Sequence, residues 1–138
     1  MIPNSKKYYY ETMIQDKHID SFDHVNNAAY LQLFEAARWD IITNNGYGID
    51  KIKETGLGPT ILKIEISFLK ELHLHDAIVI ETEMQAYQKK IGKIHQRILR
   101  NNAVACEAVY TMGLFDLNKR KLVSPTQQWL DAIFPGNK

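Results

Sequence analysis

The densest group of potentially reactive side chains lies in a short polar loop that runs directly into a helix-like pattern. Residues 16–38 read DKHIDSFDHVNNAAYLQLFEAAR. The carboxylates, imidazoles and amides of the loop are Asp16, His18, Asp20, Asp23, His24, Asn26 and Asn27. A helix N-terminus has backbone N–H groups without intrahelical partners, and these can bind an incoming polar or anionic group. We therefore interpret this loop as the candidate active site.

A strongly periodic helix follows the loop. Residues 27–45 carry apolar side chains at helical spacing, and these form one stripe: Tyr30, Leu31, Phe34, Ala37, Ile41 and Ile42. Either Asn26 or Asn27 is a suitable N-cap, because its side-chain oxygen can accept a hydrogen bond from a free N–H of the first turn. The run Asn44-Asn45-Gly46 supplies a stop signal.

Strand patterns dominate the rest of the chain. Tyrosine-rich or alternating apolar and polar segments predict strands at residues 7–14, 59–70, 77–87, 93–100 and 103–115, with a short return at 122–123. Short helices are predicted at residues 50–55 and 127–133. Because the last four long strands are joined by short turns, they are expected to be antiparallel neighbours. The prediction is a single α+β domain over residues 1–138, with a curled antiparallel sheet of about five strands around one long helix.

Composition is that of an ordinary globular protein. The chain has 138 residues, of which 45% are hydrophobic and 24% charged, and its formal net charge is +1. A charge so close to zero favours neither nucleic acid nor an anionic membrane as a partner. No apolar run approaches the roughly 18 residues of a membrane span, and no signal peptide is expected, so the predicted location is cytoplasmic.

Metal and cofactor motifs are not found in the sequence. Cys106 is the only cysteine, which excludes an intramolecular disulfide. His73 and His75 alternate in a predicted turn without a third ligand at recognisable spacing. No serine-hydrolase elbow, Gly-rich phosphate loop or dinucleotide fingerprint is found. The prediction is therefore a protein without a metal or a cofactor.

The loop and helix together resemble a known family. Residues 19–27 read IDSFDHVNN and are followed by Tyr30, Glu35 and Arg38. This resembles the D-x-D-x-x-G-H-V-N-N-x-x-Y loop of the hot-dog fold acyl-CoA thioesterases, in the 4-hydroxybenzoyl-CoA thioesterase-like group. The later segment IEISFLKELHLHD is similar to the family's strand and turn, ending here in Asp76. The resemblance implies that the chain hydrolyses an acyl- or aryl-CoA thioester.

The resemblance also implies roles for individual residues. Asp20 falls on the catalytic carboxylate, and Asn27 falls where a helix N-terminal N–H polarises the thioester carbonyl. We expect the N–H groups of Asn27 and Ala28 to be free for this purpose. The carboxylate could attack directly or activate water, and His24 or His18 could orient that water. The sequence departs from the family at His18, which replaces an aspartate, and at Asp23, which replaces a glycine.

Substrate contacts and partners follow from the same resemblance. Tyr30 and Phe34 are predicted to line the acyl pocket, although Tyr30 could equally belong to the core. Lys89 and Lys90 are predicted to bind the phosphates of CoA. Glu35 and Arg38 could pair along the helix. A homodimer or a dimer of dimers is expected, and the open alternatives are an acyl-carrier-protein substrate or acyl-CoA binding without turnover.

Overall fold

The computed structural model describes residues 6–134, so residues 1–5 and 135–138 of the predicted domain lie outside it. Six strands are present: β1 Lys7–Met13, β2 Leu57–Phe68, β3 Ala77–Gln88, β4 Ile91–Arg100, β5 Ala103–Asp116 and β6 Lys121–Val123. The helices are α1 Asn27–Asn44, α2 Ile49–Thr55 and α3 Gln127–Ile133. A single 3₁₀ turn, Asp16–His18, connects β1 to the polar loop.

The strands form one antiparallel sheet in the order β1-β3-β4-β5-β2, and the short β6 pairs with the end of β5. The tight turns predicted between β3, β4 and β5 place these strands side by side, while β1 and β2 lie at the two edges. The prediction that β2 and β3 are also neighbours is wrong: β2 pairs with β5, because residues 69–76 carry the chain from that edge across the sheet to β3. The helix α1 packs on one face of the sheet. This arrangement confirms the predicted α+β fold, with one long helix on a curled antiparallel sheet.

The buried face of α1 differs slightly from the predicted stripe. Its buried residues are Ala29, Tyr30, Leu33, Phe34, Ala37 and Ile42. Leu31, which was predicted to belong to the stripe, is 37% exposed. The small side chains of Ala29 and Ala37 are almost completely buried and let the helix approach the sheet closely.

Strand β2 contains an irregularity that the sequence pattern did not reveal. Ile61 pairs with Met112 and Lys63 with Thr111, so Leu62 is an extra residue between two regular segments. A bulge of this kind moves the following residues to the other face relative to a simple alternation. Ile61 and Ile64, although three residues apart, therefore pair with residues on one face of β5, Met112 and Tyr110.

Candidate active site

The polar loop forms a small hairpin that ends at the first turn of α1. The N–H of Asn26 donates to the carbonyl of His18 at 2.8 Å, and the N–H of Asp20 donates to the carbonyl of His24 at 3.0 Å. Between these two hydrogen bonds, Ile19 and Val25 form an antiparallel bridge. The residues of highest chemical interest are thus held by backbone hydrogen bonds, and the side chains of Ile19 and Val25 pack on the core. We call residues 18–26 the catalytic hairpin, after the role predicted for Asp20.

Asp20 lies on this hairpin with one carboxylate oxygen bonded and the other open. Its Oδ1 accepts the N–H of Phe22 at 2.9 Å, an Asx turn that fixes the side chain. Its Oδ2 lies 3.9 Å from Nδ1 of His24, too far for a hydrogen bond but close enough for electrostatic attraction to an imidazolium. The Asp20 side chain is 20% exposed. It can therefore meet a substrate or a water molecule without leaving its turn.

The helix N-terminus that follows the hairpin offers one backbone donor without a partner in the described part of the chain. Asn26 is the N-cap, since its Oδ1 accepts the N–H of Ala28 at 2.8 Å. The prediction that the N–H of Ala28 is free is therefore wrong. Within residues 6–134, the N–H of Asn27 has no hydrogen-bond partner. The N–H of Asn27 is therefore the donor that remains available to a ligand at the positive end of the helix dipole.

The two histidines of the hairpin occupy different environments. His24 is partly exposed, its Nδ1 lies 3.4 Å from the carbonyl of Val25, and its ring stacks on Phe22 with a centroid separation of 6.1 Å. His18 is buried, and its Nδ1 accepts the N–H of Gln15 at 2.9 Å. Burial, assisted by the charge of Lys17, lowers the pKa of His18 below its ordinary value. Only His24 is therefore placed beside Asp20.

Asp23, which replaces the expected glycine, still adopts the backbone conformation of a tight turn. Its φ is 66°, in the left-handed region that glycine adopts most readily. Aspartate is among the residues that tolerate this region. Its N–H donates to the carbonyl of Asp20 at 3.1 Å, which keeps the tight turn.

The predicted acyl-pocket residues lie on the buried side of α1. Tyr30 contacts Phe68 of β2 edge to face, with ring centroids 5.1 Å apart, and burial raises the pKa of Tyr30 to about 12. Phe34 is fully buried one turn later and contacts Tyr110 at 6.0 Å. Tyr30 is the nearer of the two to the helix N-terminus. The substrate-binding roles of both residues stay predictions.

Lys89 and Lys90 are not brought to this site within one protomer. The active-site end of β3 is marked by Asp76, whose carbonyl accepts the N–H of Ile14 at 3.0 Å. The lysines follow the other end of the same strand, a path on the order of 35 Å at about 3.3 Å per residue. They would reach a substrate at Asp20 only from a second protomer.

Sequence reasoning missed a polar cluster beneath α1. Gln96 is completely buried; its Nε2 donates to the carbonyl of Phe34 at 3.1 Å and to Oγ1 of Thr82 at 2.9 Å. Arg38 donates to Oε1 of Gln96 at 2.9 Å and lies over the ring of Tyr110. Arg38 therefore does not form the ion pair with Glu35 that its spacing allowed. The available signal was the position of Gln96, on the same alternating face of its strand as Ile94 and Ile98.

Metal chemistry has no evident site here. Across residues 6–134, no group of three or more His, Cys, Asp or Glu side chains is arranged to hold a metal ion. His73 is instead close to two carboxylates of its own turn, Glu71 at 3.4 Å and Asp76 at 3.9 Å.

Comparisons with known proteins converge on one family. A family model described as the thioesterase-like superfamily matches residues 14–134. The long-chain acyl-CoA thioesterase FadM of Escherichia coli is 27% identical over 113 residues, which cover 80% of this chain and 85% of FadM. The acyl-CoA thioesterase YbgC of Haemophilus influenzae is 28% identical over 101 residues, covering 72% of this chain and 74% of YbgC.

A solved structure supports the same fold. The Staphylococcus aureus protein SAV2348, determined in complex with CoA, superposes with a TM-score of 0.87. The match covers 100% of this chain and 89% of that one at 14% identity. At this identity the similarity concerns the fold, and it confirms the hot-dog architecture inferred from the strand and helix order.

Proposed function

This chain belongs to the thioesterase-like superfamily, and from that premise we propose that it is an acyl-CoA thioesterase that uses Asp20 and the N-terminus of α1. The observation that carries the proposal is that the hairpin bearing Asp20, whose Oδ2 accepts no hydrogen bond, leads directly into the helix N-terminus, where the N–H of Asn27 has no partner within residues 6–134. The two curated relatives described above are both named as acyl-CoA thioesterases.

Hydrolysis of a thioester requires an oxyanion site and a nucleophile, and both are available at this end of the helix. The substrate carbonyl oxygen would accept the N–H of Asn27, where the helix dipole stabilises the developing negative charge. The open Oδ2 of Asp20 would either remove a proton from an attacking water or attack the carbonyl carbon itself. In the first route the water oxygen bonds to the carbonyl carbon, the C–S bond breaks, and the proton taken by Asp20 passes to the CoA sulfur. In the second route the C–S bond breaks as an Asp20–acyl anhydride forms, and a water molecule then hydrolyses this anhydride to the free acid and restores Asp20. The CoA thiolate of the second route takes its proton from the solvent. His24, 3.9 Å from that oxygen, would orient the water.

An apolar groove leads away from this site along α1. Cross-strand pairing places Ile61, Ile64 and Phe68 of β2 on the same face as Met112, Tyr110 and Cys106 of β5, which is the face that α1 covers. These three β2 residues are nevertheless between 36% and 49% exposed, because β2 extends beyond the flank of the helix. On the helix side, Trp39 lines the same cavity as Ile61.

The groove ends in a cavity beneath the second half of α1. Trp39, Ile42, Ile61, Met84, Met112 and Trp129 line most of its apolar surface. From Asn27 to Trp39 the helix advances roughly 18 Å at about 1.5 Å per residue. A staggered hydrocarbon chain, with bonds of about 1.5 Å, advances roughly 1.25 Å per carbon, so about 14 carbons span this length. We propose that a long acyl chain occupies the groove, in agreement with the name of the FadM relative.

Strand β2 also supports the proposed homodimer. It is an edge strand, and Leu62 and Leu69 add exposed apolar surface to that edge. Edge strands of this kind pair readily with a second chain. Antiparallel pairing of two β2 strands would cover the groove and bring the Lys89-Lys90 turn of one protomer towards the Asp20 end of the other. The CoA-binding role of the two lysines and a dimer of dimers are further parts of this proposal.

The proposed location is the cytoplasm. Among residues 6–134, no helix combines the length and the apolar character needed to cross a membrane.

The decisive test measures CoA release from acyl-CoAs of 2 to 16 carbons and from benzoyl-CoA, with wild type beside Asp20→Asn. Asparagine can still accept the N–H of Phe22, so the variant is expected to fold while kcat falls about 10³-fold. Asp23→Asn is the matched control: it removes an exposed carboxylate from the same hairpin, keeps a residue that tolerates positive φ, and should retain wild-type kcat.

Each other outcome redirects the proposal. Full activity in Asp20→Asn would remove Asp20 from the mechanism. Binding of acyl-CoA without release of CoA in the wild type would indicate a binding protein, and turnover only with acylated carrier protein would move the substrate to that class.

A further inference from the structure

His18 is a buried histidine that the proposed mechanism does not use. Its side chain is 4% exposed, at the end of the 3₁₀ turn that enters the catalytic hairpin. The other buried polar residues in the described part of the chain are Glu81, Thr82 and Gln96, and each of these hydrogen bonds to a side chain of the sheet or α1. His18 differs from them because its ring bonds to the backbone beside the active site.

The hydrogen bond of the ring fixes its protonation state. Nδ1 lies 2.9 Å from the backbone nitrogen of Gln15, which can only donate. Nδ1 must therefore accept, and the proton of the neutral ring must lie on Nε2. Protonation at Nδ1 would set two donors against each other and place a charge in a buried position.

The backbone of His18 makes one hydrogen bond to the turn that precedes the hairpin and one across the base of the hairpin. The N–H of His18 donates to the carbonyl of Gln15 at 2.9 Å, and its carbonyl accepts the N–H of Asn26 at 2.8 Å. Asn26 is the N-cap of α1, and Asp20 lies two residues after His18. His18 thus connects the end of β1, the carboxylate and the helix N-terminus at one point.

We propose that His18, as a neutral ring, is a positioning residue: it locks the base of the catalytic hairpin and so holds Asp20 in a fixed position relative to the N-terminus of α1, and acid releases it. This inference rests on the proposed function, since it assigns to His18 the alignment of that site. A displacement of about 1 Å in a reacting group can cost about 10²-fold in rate. Turnover should therefore decline as His18 becomes protonated, while binding in the apolar groove persists.

The titratable groups around His18 lie on its own turn, on the hairpin and on the connection between β2 and β3. Asp16 and Lys17 share the turn of His18, and Asp20, Asp23 and His24 lie on the hairpin. The β2–β3 connection packs against the hairpin through the hydrogen bond from Val25 N–H to the carbonyl of Leu72. That connection carries Lys70, Glu71, His73, His75 and Asp76. The first turn of α1 carries no acidic residue.

The pH dependence has a defined sign. Burial, and then Lys17, lower the pKa of His18 in the folded protein, so the folded state disfavours the proton relative to the unfolded chain. The stabilising contribution of the neutral ring is complete above the unfolded value of about 6.5 and is lost as pH falls below it towards the folded pKa. The decline in kcat belongs to the lower part of that interval.

Nuclear magnetic resonance tests the hydrogen bond directly. Correlations between imidazole protons and ring nitrogens should show the Nε2–H tautomer for His18 at pH 8. The amide signal of Gln15 should then shift with the same midpoint as the His18 ring during an acid titration. A proton on Nδ1, or a Gln15 amide that ignores the titration of His18, would overturn the proposal independently of any activity.

Kinetics of two variants test the positioning role. In His18→Asn, Oδ1 can accept the N–H of Gln15 and does not titrate. The kcat of this variant at pH 8 should therefore stay within about threefold of wild type. Its pH profile should lack the acid limb, which is the decline that protonation of His18 causes in the wild type. His18→Leu keeps an apolar volume but no acceptor, and its kcat should fall about 10²-fold at every pH with little change in KM. Asp20 and His24 are present in both variants and in the wild type. A difference between the pH profiles of kcat is therefore assigned to His18.

The control is His75→Asn, which replaces an exposed histidine at a φ of 69° with a residue that tolerates this conformation. Its profile should match that of the wild type. Retention of the wild-type acid limb in His18→Asn, or full kcat in a folded His18→Leu, would refute the positioning role. If the wild type releases no CoA at any pH, the proposed function itself fails, and the resonance experiment still decides the state of His18.

Discussion

At the N-terminal end of α1, the N–H of Asn27 has no partner within residues 6–134, and Asp20 keeps one carboxylate oxygen without a hydrogen bond. Two to three turns further along the same helix, Arg38, Gln96 and Thr82 hydrogen bond to one another beneath the helix. Both regions place polar groups against an apolar core. They differ in whether the groups have protein partners.

The difference separates binding from stability. A donor left unpaired at a partly exposed helix end costs little in water and is available to a substrate. A polar group left unpaired in the core costs its full desolvation, so each hydrogen bond of buried Gln96 stabilises the fold. Changes in the cluster should therefore alter the free energy of unfolding, and changes in the hairpin should alter turnover.

The largest expected change in stability is that of Gln96→Leu. This substitution leaves the carbonyl of Phe34, Oγ1 of Thr82 and the Arg38 guanidinium without their present partner. Urea denaturation should show a loss of about 3 kcal/mol in the free energy of unfolding. The turnover number of the folded protein should remain within about twofold of wild type.

The matched control for this substitution is Gln85→Leu, an exposed glutamine on β3, which should change stability by less than about 0.5 kcal/mol. A strong loss of kcat in Gln96→Leu at unchanged stability would break the comparison, because it would assign the internal cluster to the active site.

A pair of N-cap substitutions comes next in size. Asn26 caps α1 through the N–H of Ala28, and Thr126 caps α3 through the N–H of Trp129 at 3.2 Å. Replacing either residue by alanine should cost about 1 kcal/mol in the free energy of unfolding. Only Asn26→Ala should also lower kcat, by about tenfold, because the cap orients the turn that carries the N–H of Asn27.

Asn26→Ser, which restores a capping oxygen, should recover most of this loss of turnover. Equal effects of the two alanine substitutions on kcat would show that global stability, rather than the position of the first turn, limits turnover.

The sequence-based predictions were accurate where structure depends on neighbouring residues and inaccurate where it depends on tertiary packing. The helix α1 and the bounds of β3, β4 and β5 follow from periodicity and turn residues, which act over a few neighbours. The sequence offered Asn26 or Asn27 as the N-cap of α1, and the structure shows that it is Asn26. The bulge at Leu62 and the exposure of Leu31 depend on how β2 pairs and how α1 packs, which no local pattern contains.

The candidate site shows the same limit. The chemical cluster around Asp20 was recognisable because its members are adjacent in sequence. The free donor was predicted at two residues, but the side chain of Asn26 takes the N–H of Ala28 and leaves that of Asn27. The distance of Lys89 and Lys90 from the hairpin depends on the direction of β3. The sequence alone could not show that these lysines lie at the end of the strand away from Asp20 of the same protomer.

The smallest expected effects concern the backbone at the two ends of α1. Asp23 precedes the helix with a φ of 66°, and Gly46 follows it with a φ of 86° and open space around its Cα. Left-handed backbone costs a side-chain-bearing residue about 1 kcal/mol, whereas glycine loses more entropy on folding. Asp23→Gly should therefore raise the free energy of unfolding by at most about 0.5 kcal/mol, and Gly46→Asp should lower it by about 1 kcal/mol or less.

Turnover distinguishes these two ends more sharply than stability does. Neither substitution removes a hydrogen bond of the catalytic hairpin, because Asp23 contributes only its backbone N–H, to the carbonyl of Asp20. Asp23→Val, in contrast, places a β-branched residue at the positive φ and should displace Asp20, lowering kcat about tenfold. If Asp23→Val turns over at the wild-type rate in a folded protein, the conformation of the hairpin is not what aligns Asp20 with α1, and the contrast between the two ends of the helix would rest on the unpaired N–H of Asn27 alone.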